Sequence, residues 1–257
     1  MVDINYEQVK EDLIHKNLYD IQKELTVQRR TRTGIMTVLI IALLFTLIFG
    51  SLENPFVYTM SNIGNFFTYR ILFIIWAVIA GIAIESTVVA LFKLEKYNTK
   101  YGYLFILLAT SFLITTALIP ALKQVYPFWH LIHTITSGLF AIFLYLALVP
   151  FSRWISKENP RLRIYITIWQ IVIWIGSILI LLFFWHSAMF ELWFFMSNII
   201  YLLYLSLVLF EEKIIKISVK LLMDEENLNL AIEKMFVDLE TIEKRKVNKL
   251  KKTKNIK

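Results

Sequence analysis

The stretch ILFIIWAVIAGIAIESTVVALF, residues 71–92, runs directly into KLEKYNTK, residues 93–100. The first part passes with one acid, Glu85, and no lysine or arginine, and then Lys93, Lys96 and Lys100 follow within eight positions. A helix rises about 1.5 Å per residue, so the apolar run matches the roughly 30 Å hydrocarbon core of a bilayer. Backbone N–H and C=O groups find no partner in hydrocarbon, so such a run has to close its hydrogen bonds within itself as a helix. The lysines that end it belong in water. The stretch therefore reads as one membrane span followed by a polar connection.

Working outward in both directions, five further runs have the same character, at residues 34–52, 103–122, 130–151, 164–185 and 190–210. The whole chain of 257 residues is 58% hydrophobic and 18% charged. A water-soluble domain carries about 45–50% apolar and about 25% charged residues, so the balance excludes an ordinary soluble protein. The expected fold is all-α, a polytopic membrane protein with a six-transmembrane-helix bundle at residues 34–210. An amphipathic N-terminal helix is expected over residues 1–33, and a helical basic tail over residues 211–257. The first 33 residues are charged and helical in pattern, unlike a cleavable signal peptide. The chain has no cysteine, which rules out disulfides and thiolate metal sites.

The basic residues set the expected threading. Arg29, Arg30 and Arg32 precede span one, and Lys93, Lys96 and Lys100 lie between spans two and three. Arg153, Lys157, Arg161 and Arg163 lie between spans four and five, and Lys213, Lys216 and Lys220 follow span six. The opposite face has only Arg70 and Lys123. Lysine and arginine are retained in the cytoplasm, so both termini are expected there, with the 1–2, 3–4 and 5–6 connections outward. Richness in Ile, Lys and Asn fits an AT-rich bacterial genome, which makes the expected membrane a bacterial plasma membrane.

The ends carry helical stripes. Ile14, Leu18, Ile21 and Leu25 recur at four-three-four spacing, as do Leu228, Ile232, Met235, Leu239 and Ile242 in the tail. These helices can pack together, lie under the membrane, or pair two chains as a homodimer through a short coiled coil. The final cluster from Lys244 to Lys254 reads as a polybasic segment held near anionic lipid. Nothing aromatic or glycine-rich accompanies that charge, so no nucleic-acid partner is expected and membrane lipids are.

Residues able to do chemistry gather on the outward face. His130 and His133 sit one turn apart at the start of span four, His186 ends span five, and Glu191 opens span six. The 1–2 connection adds Ser61, Asn62, Asn65 and Arg70. Together they describe an outward polar pocket for a lipid, lipid-linked or peptide ligand, with Arg70 placed to meet a phosphate or carboxylate. The alternative is a zinc-dependent hydrolase of a lipid amide or ester, with His130, His133 and His186 as ligands and Glu191 as general base. An i,i+3 histidine pair is not a specific zinc signature, and rings beside Trp129 and Trp185 also suit an interfacial belt, so no cofactor is the leading expectation. Glu85, inside span two, is either a neutral hydrogen-bonded acid joining helices or the relay of a proton-coupled transporter, with Gln170, Thr110 and Ser111 as candidate partners.

The loop residues 54–65, NPFVYTMSNIGN, followed by RILFIIW at 70–76, resemble the outward S-x-x-G loop and second span of the DRAM-like six-span membrane proteins, especially their bacterial branch. The His130 helix, with Ala141-Ile142-Phe143, is similar to the fourth span of that group. Eukaryotic members carry an acid beside the loop serine, where this chain has Asn62. The resemblance implies a six-helix bundle with a polar extracellular pocket, associated with lipid organisation or membrane trafficking, and implies no catalytic activity.

Overall fold

Every apolar run forms a helix. In the computed structural model, which describes residues 6–184, 187–219 and 223, with side chains from Tyr19 on, the order is α1 (Tyr6–Gly50), α2 (Met60–Phe66), α3 (Arg70–Leu94), α4 (Lys100–Leu118), α5 (Pro127–Glu158), a 3-10 turn (Pro160–Leu162), α6 (Arg163–Phe183) and α7 (Ala188–Val219). Six of these helices, all but α2, are long and apolar enough to cross a membrane, and no strand occurs among the described residues. The protein is an all-α, multi-pass membrane bundle.

Helices outrun the hydrophobic pattern at several ends because helix formation does not stop where hydropathy does. The backbone of α5 continues through Arg153 and Lys157 to Glu158, and α7 continues to Val219. Starts and stops follow local chemistry. The Thr59 hydroxyl accepts the Asn62 N–H at the head of α2, Thr99 does the same for Gly102 at the head of α4, and Pro127 opens α5, where its missing N–H has no cost. α3 ends in a Schellman arrangement. Lys96 adopts a left-handed conformation with φ 55°, the Tyr97 N–H reaches the Phe92 carbonyl at 2.8 Å, and the two rings pack 5.1 Å apart.

The chain divides into two compact units, Arg30–Phe210 and a second made of Met1–Arg29 with Glu211–Lys257. In the second, Ile21 and Leu25 of the N-terminal stripe are half-buried while their neighbours Gln22, Lys23 and Glu24 are exposed. The tail stripe from Leu228 to Ile242 and the basic cluster beyond it lie outside the described residues, as do the side chains of Ile14 and Leu18.

Inside Arg30–Phe210 the helices meet through aromatic rings and short polar ties. Lipid tails are as apolar as leucine, so close packing and interhelical hydrogen bonds hold a bundle in place of hydrophobic burial. Phe49, Phe73 and Trp76 stack at 5.5–5.9 Å, Trp76 meets Phe195 edge-on at 4.7 Å, and Phe195 stacks on Phe140 at 5.3 Å. This string of rings joins α1, α3, α7 and α5. Trp76 Nε1–H donates to Thr46 Oγ1 at 3.0 Å, and Thr116 and Thr136 share a 2.9 Å hydroxyl bond between α4 and α5. At Gly81 the Thr110 hydroxyl donates to the glycine carbonyl at 3.3 Å, an approach that the missing side chain permits.

Candidate functional site

α2 is the element that the hydropathy pattern does not reveal. It is too short to show a period, and it closes one end of the bundle with Met60, Ser61, Ile63 and Gly64 buried. Its seat on α3 depends on Gly64, since a Cβ there would stand 2.7 Å from the Phe73 Cβ. Its entry is tied to α7 by the Ala188 N–H, which donates to the Tyr58 carbonyl at 2.7 Å.

Ser61 is the junction of the site. Its Oγ lies 2.9 Å from His133 Nε2, and the Glu191 carboxyl beside it accepts the Met60 N–H. His133 Nδ1 lies 2.9 Å from the Thr116 carbonyl and 3.3 Å from that of Ile119. A carbonyl only accepts, so Nδ1 carries the hydrogen. His133 thereby donates to the carbonyls at the end of α4, a capping role that the spacing of the histidines does not announce. His130, one turn earlier, instead holds the α4–α5 connection, with Nδ1 3.0 Å from the Ala121 carbonyl.

The Ser61 hydroxyl has one proton for two neighbours, so it donates either to His133 Nε2 or toward Glu191, and not to both at once.

Two cavities meet at this junction. An outer one of about 340 Å³ is lined by Thr59, Asn62 and Ser187 and by one face of α5, His130, His133, Thr134 and Ser137. An inner one of about 140 Å³ is walled by Phe73, Trp76, Leu113, Phe140 and Phe194. Ser61, Ser137, Phe190 and Glu191 line both. The outer space, which also takes Ala121 and Leu181 into its lining, has the larger share of polar groups, and it adjoins a more apolar inner one across a neck at Ser61, Ser137, Phe190 and Glu191.

The expected site residues divide accordingly. Ser61, Asn62, His130, His133 and Glu191 come together around the cavities. Asn65 and Arg70 do not line them. Arg70 donates to Asn65 Oδ1 and to the Leu118 carbonyl, both at 2.6 Å, and so joins α2, α3 and the end of α4. His186 lies outside the described residues. No group of three His, Cys, Asp or Glu side chains suited to a metal occurs among the described residues. For His133 to ligate one, it would have to give up either the Ser61 bond or the Thr116 carbonyl. Glu85 is half-buried and has no hydrogen-bond partner among the described residues. Its candidate partners are engaged elsewhere, Thr110 with Gly81, Ser111 with Leu107, and Gln170 with Ser152 and Trp174. Ser137 and Phe190 were not anticipated. Ser137 could have been found as the i+4 neighbour of His133 on the same face.

Comparison of the chain with protein-family models, curated proteins and solved structures gives no match.

Proposed function

We propose that this chain is a non-enzymatic membrane protein that binds an amphiphile, a lipid or lipid-linked molecule, at the junction of the two cavities. The observation that carries the reading is the graded lining, with hydroxyls, an amide and imidazoles concentrated around the outer space and mostly aromatic and aliphatic walls around the inner one. An amphiphile has the same gradient. Its polar end matches Asn62, Ser137 and His130, and its apolar end matches the ring-lined space behind Ser61. Ligand sites are concave, mostly apolar and supplied with a few convergent polar groups, and this one has that character.

The retention of Lys and Arg on the face away from this site supports an outward-facing pocket with cytoplasmic termini. In a bacterial cell the membrane is then the plasma membrane. The likeness of the 54–65 loop to DRAM-like proteins points toward lipid organisation as well.

The test uses Gly138, which lines the inner cavity and at which an added Cβ meets nothing within 4 Å. Gly138→Leu fills that space without a backbone clash. Mass spectrometry of lipids extracted from the purified protein should show a lipid retained by the wild type and lost from Gly138→Leu, with the melting temperature unchanged. Equal lipid retention in both proteins would refute the reading.

A further inference from the structure

A second cleft lies on the other side of the bundle, between α5 and α6, with a volume of about 360 Å³. It takes Tyr145, Val149, Ser152, Arg153 and Ser156 from α5, one helical face, and Thr167, Gln170, Ile171 and Trp174 from the facing side of α6. At about 1.5 Å per residue, positions 145 to 156 cover about 16 Å, close to half of a roughly 30 Å hydrocarbon core and so to one leaflet. The lining is ordered along that length. Arg153, Ser156 and Thr167 lie toward the α5–α6 connection, while Tyr145, Ile171 and Trp174 lie toward the middle of the bundle.

The apolar end is already built. Trp174 Nε1–H donates to Gln170 Oε1 at 2.8 Å, Gln170 Nε2–H donates to Ser152 Oγ at 3.3 Å, and Ser152 shares a 2.6 Å bond with the Tyr201 hydroxyl of α7. The Trp174 ring is held edge-on by Tyr145 at 4.8 Å. These polar atoms need nothing from an occupant and leave a fixed aromatic floor. At the other end the hydroxyls of Ser156 and Thr167 donate back to their own helix. Arg153 differs, being exposed and without an acidic partner among the described residues. α6 buries few of its own residues, only Ile166, Ile173 and Ser177, so the cleft opens sideways toward lipid rather than into the bundle.

We infer that this cleft is a binding site for one anionic glycerophospholipid of the leaflet at the basic face, with its phosphate at Arg153 and one acyl chain lying along Val149 and Ile171 down to Trp174. The charge selects the headgroup. A zwitterionic lipid fits the apolar part equally well but gains less from the exposed Arg153 guanidinium, which binds phosphate in a planar, two-pronged fashion. The site is separate from the cavities at Ser61 and does not depend on what binds there.

Trp174 at the floor provides the readout. The full chain is reconstituted in vesicles containing, at equal mole fraction, either phosphatidylglycerol or phosphatidylcholine with brominated chains, and quenching of tryptophan fluorescence is followed. Trp174→Phe isolates the signal from this position. The expected result is stronger association of phosphatidylglycerol, by about fivefold for one cation at an anionic surface. Arg153→Gln should abolish that preference, and Lys157→Gln, exposed on the same helix, should preserve it. Inorganic phosphate should not displace the lipid. Equal quenching by the two lipids, a preference that survives Arg153→Gln, or loss of the preference on adding inorganic phosphate would each overturn the assignment. Because Arg153 is exposed, an unchanged melting temperature of Arg153→Gln separates loss of binding from loss of fold.

Discussion

Glu191 illustrates how much one side chain can hold. Its carboxyl accepts the N–H of Met60 and reaches Ser61, so it closes the head of a helix that begins 131 residues earlier in the chain. A buried N–H left without an acceptor costs about 1–3 kcal/mol. Glu191→Ala should therefore lower stability by about that amount, seen as a fall in the melting temperature in detergent. Glu191→Gln keeps an acceptor for the Met60 N–H in the same shape, so it should melt close to the wild type. If the two variants melt alike, Glu191 is not the tie described. None of this is legible along the chain. Glu191 and His133 were recognisable as polar residues at the ends of apolar runs, but their pairing through Ser61 depends on the fold bringing three distant segments together. Arg70 shows the opposite error of scale. Read alone it is a cation free for a ligand, and in the fold it is taken up by Asn65 and a carbonyl.

Among elements, α2 and the end of α3 make the clearest contrast. The six spans were legible because hydrocarbon enforces a minimum length of apolar helix, and the bilayer does not depend on tertiary context. α2 has no such enforcement. Only Thr59 as a cap and Gly64 as a close-contact residue mark it, and the S-x-x-G pattern places Ser61 and Gly64 on it without saying why. The structure supplies the reason, since Ser61 bonds His133 of α5 and Gly64 lets α2 approach Phe73. Gly64→Ala puts a Cβ 2.7 Å from another Cβ, which cannot rotate away. Overpacking of this kind costs about 1–3 kcal/mol, so the variant should melt lower and lose lipid retention together as α2 lifts from the neck. At the end of α3 the sign reverses. Lys96 holds a left-handed conformation that costs an L-residue roughly 1–2 kcal/mol and glycine nothing. Lys96→Gly should raise the melting temperature, provided the Tyr97–Phe92 closure is kept, and a fall would show that the lysine side chain contributes more than its backbone costs.

At the scale of the whole molecule, function depends on which way the bundle faces. Consecutive spans alternate in direction, so α2, the neck at Ser61 and the start of α5 share one membrane face, and the end of α5 with Arg153 shares the other. The distribution of Lys and Arg argues that the Ser61 face is outward, because translocating cations is opposed and retaining them is not. The absence of cysteine from the chain makes this directly measurable. Phe128 and Lys157 are exposed at opposite ends of the same helix, so single replacements by cysteine at these positions report the two faces with little effect on packing. A membrane-impermeant thiol reagent applied to intact cells should label Phe128→Cys and leave Lys157→Cys untouched until the membrane is permeabilised. The reverse pattern would turn the molecule over. The cavities at Ser61 would then face the cytoplasm, their ligand would be drawn from the inner leaflet, and the cleft at Arg153 would meet the outer one. Labelling of both positions from one side would mean that α5 does not cross the membrane, and the six-span threading itself would have to be abandoned.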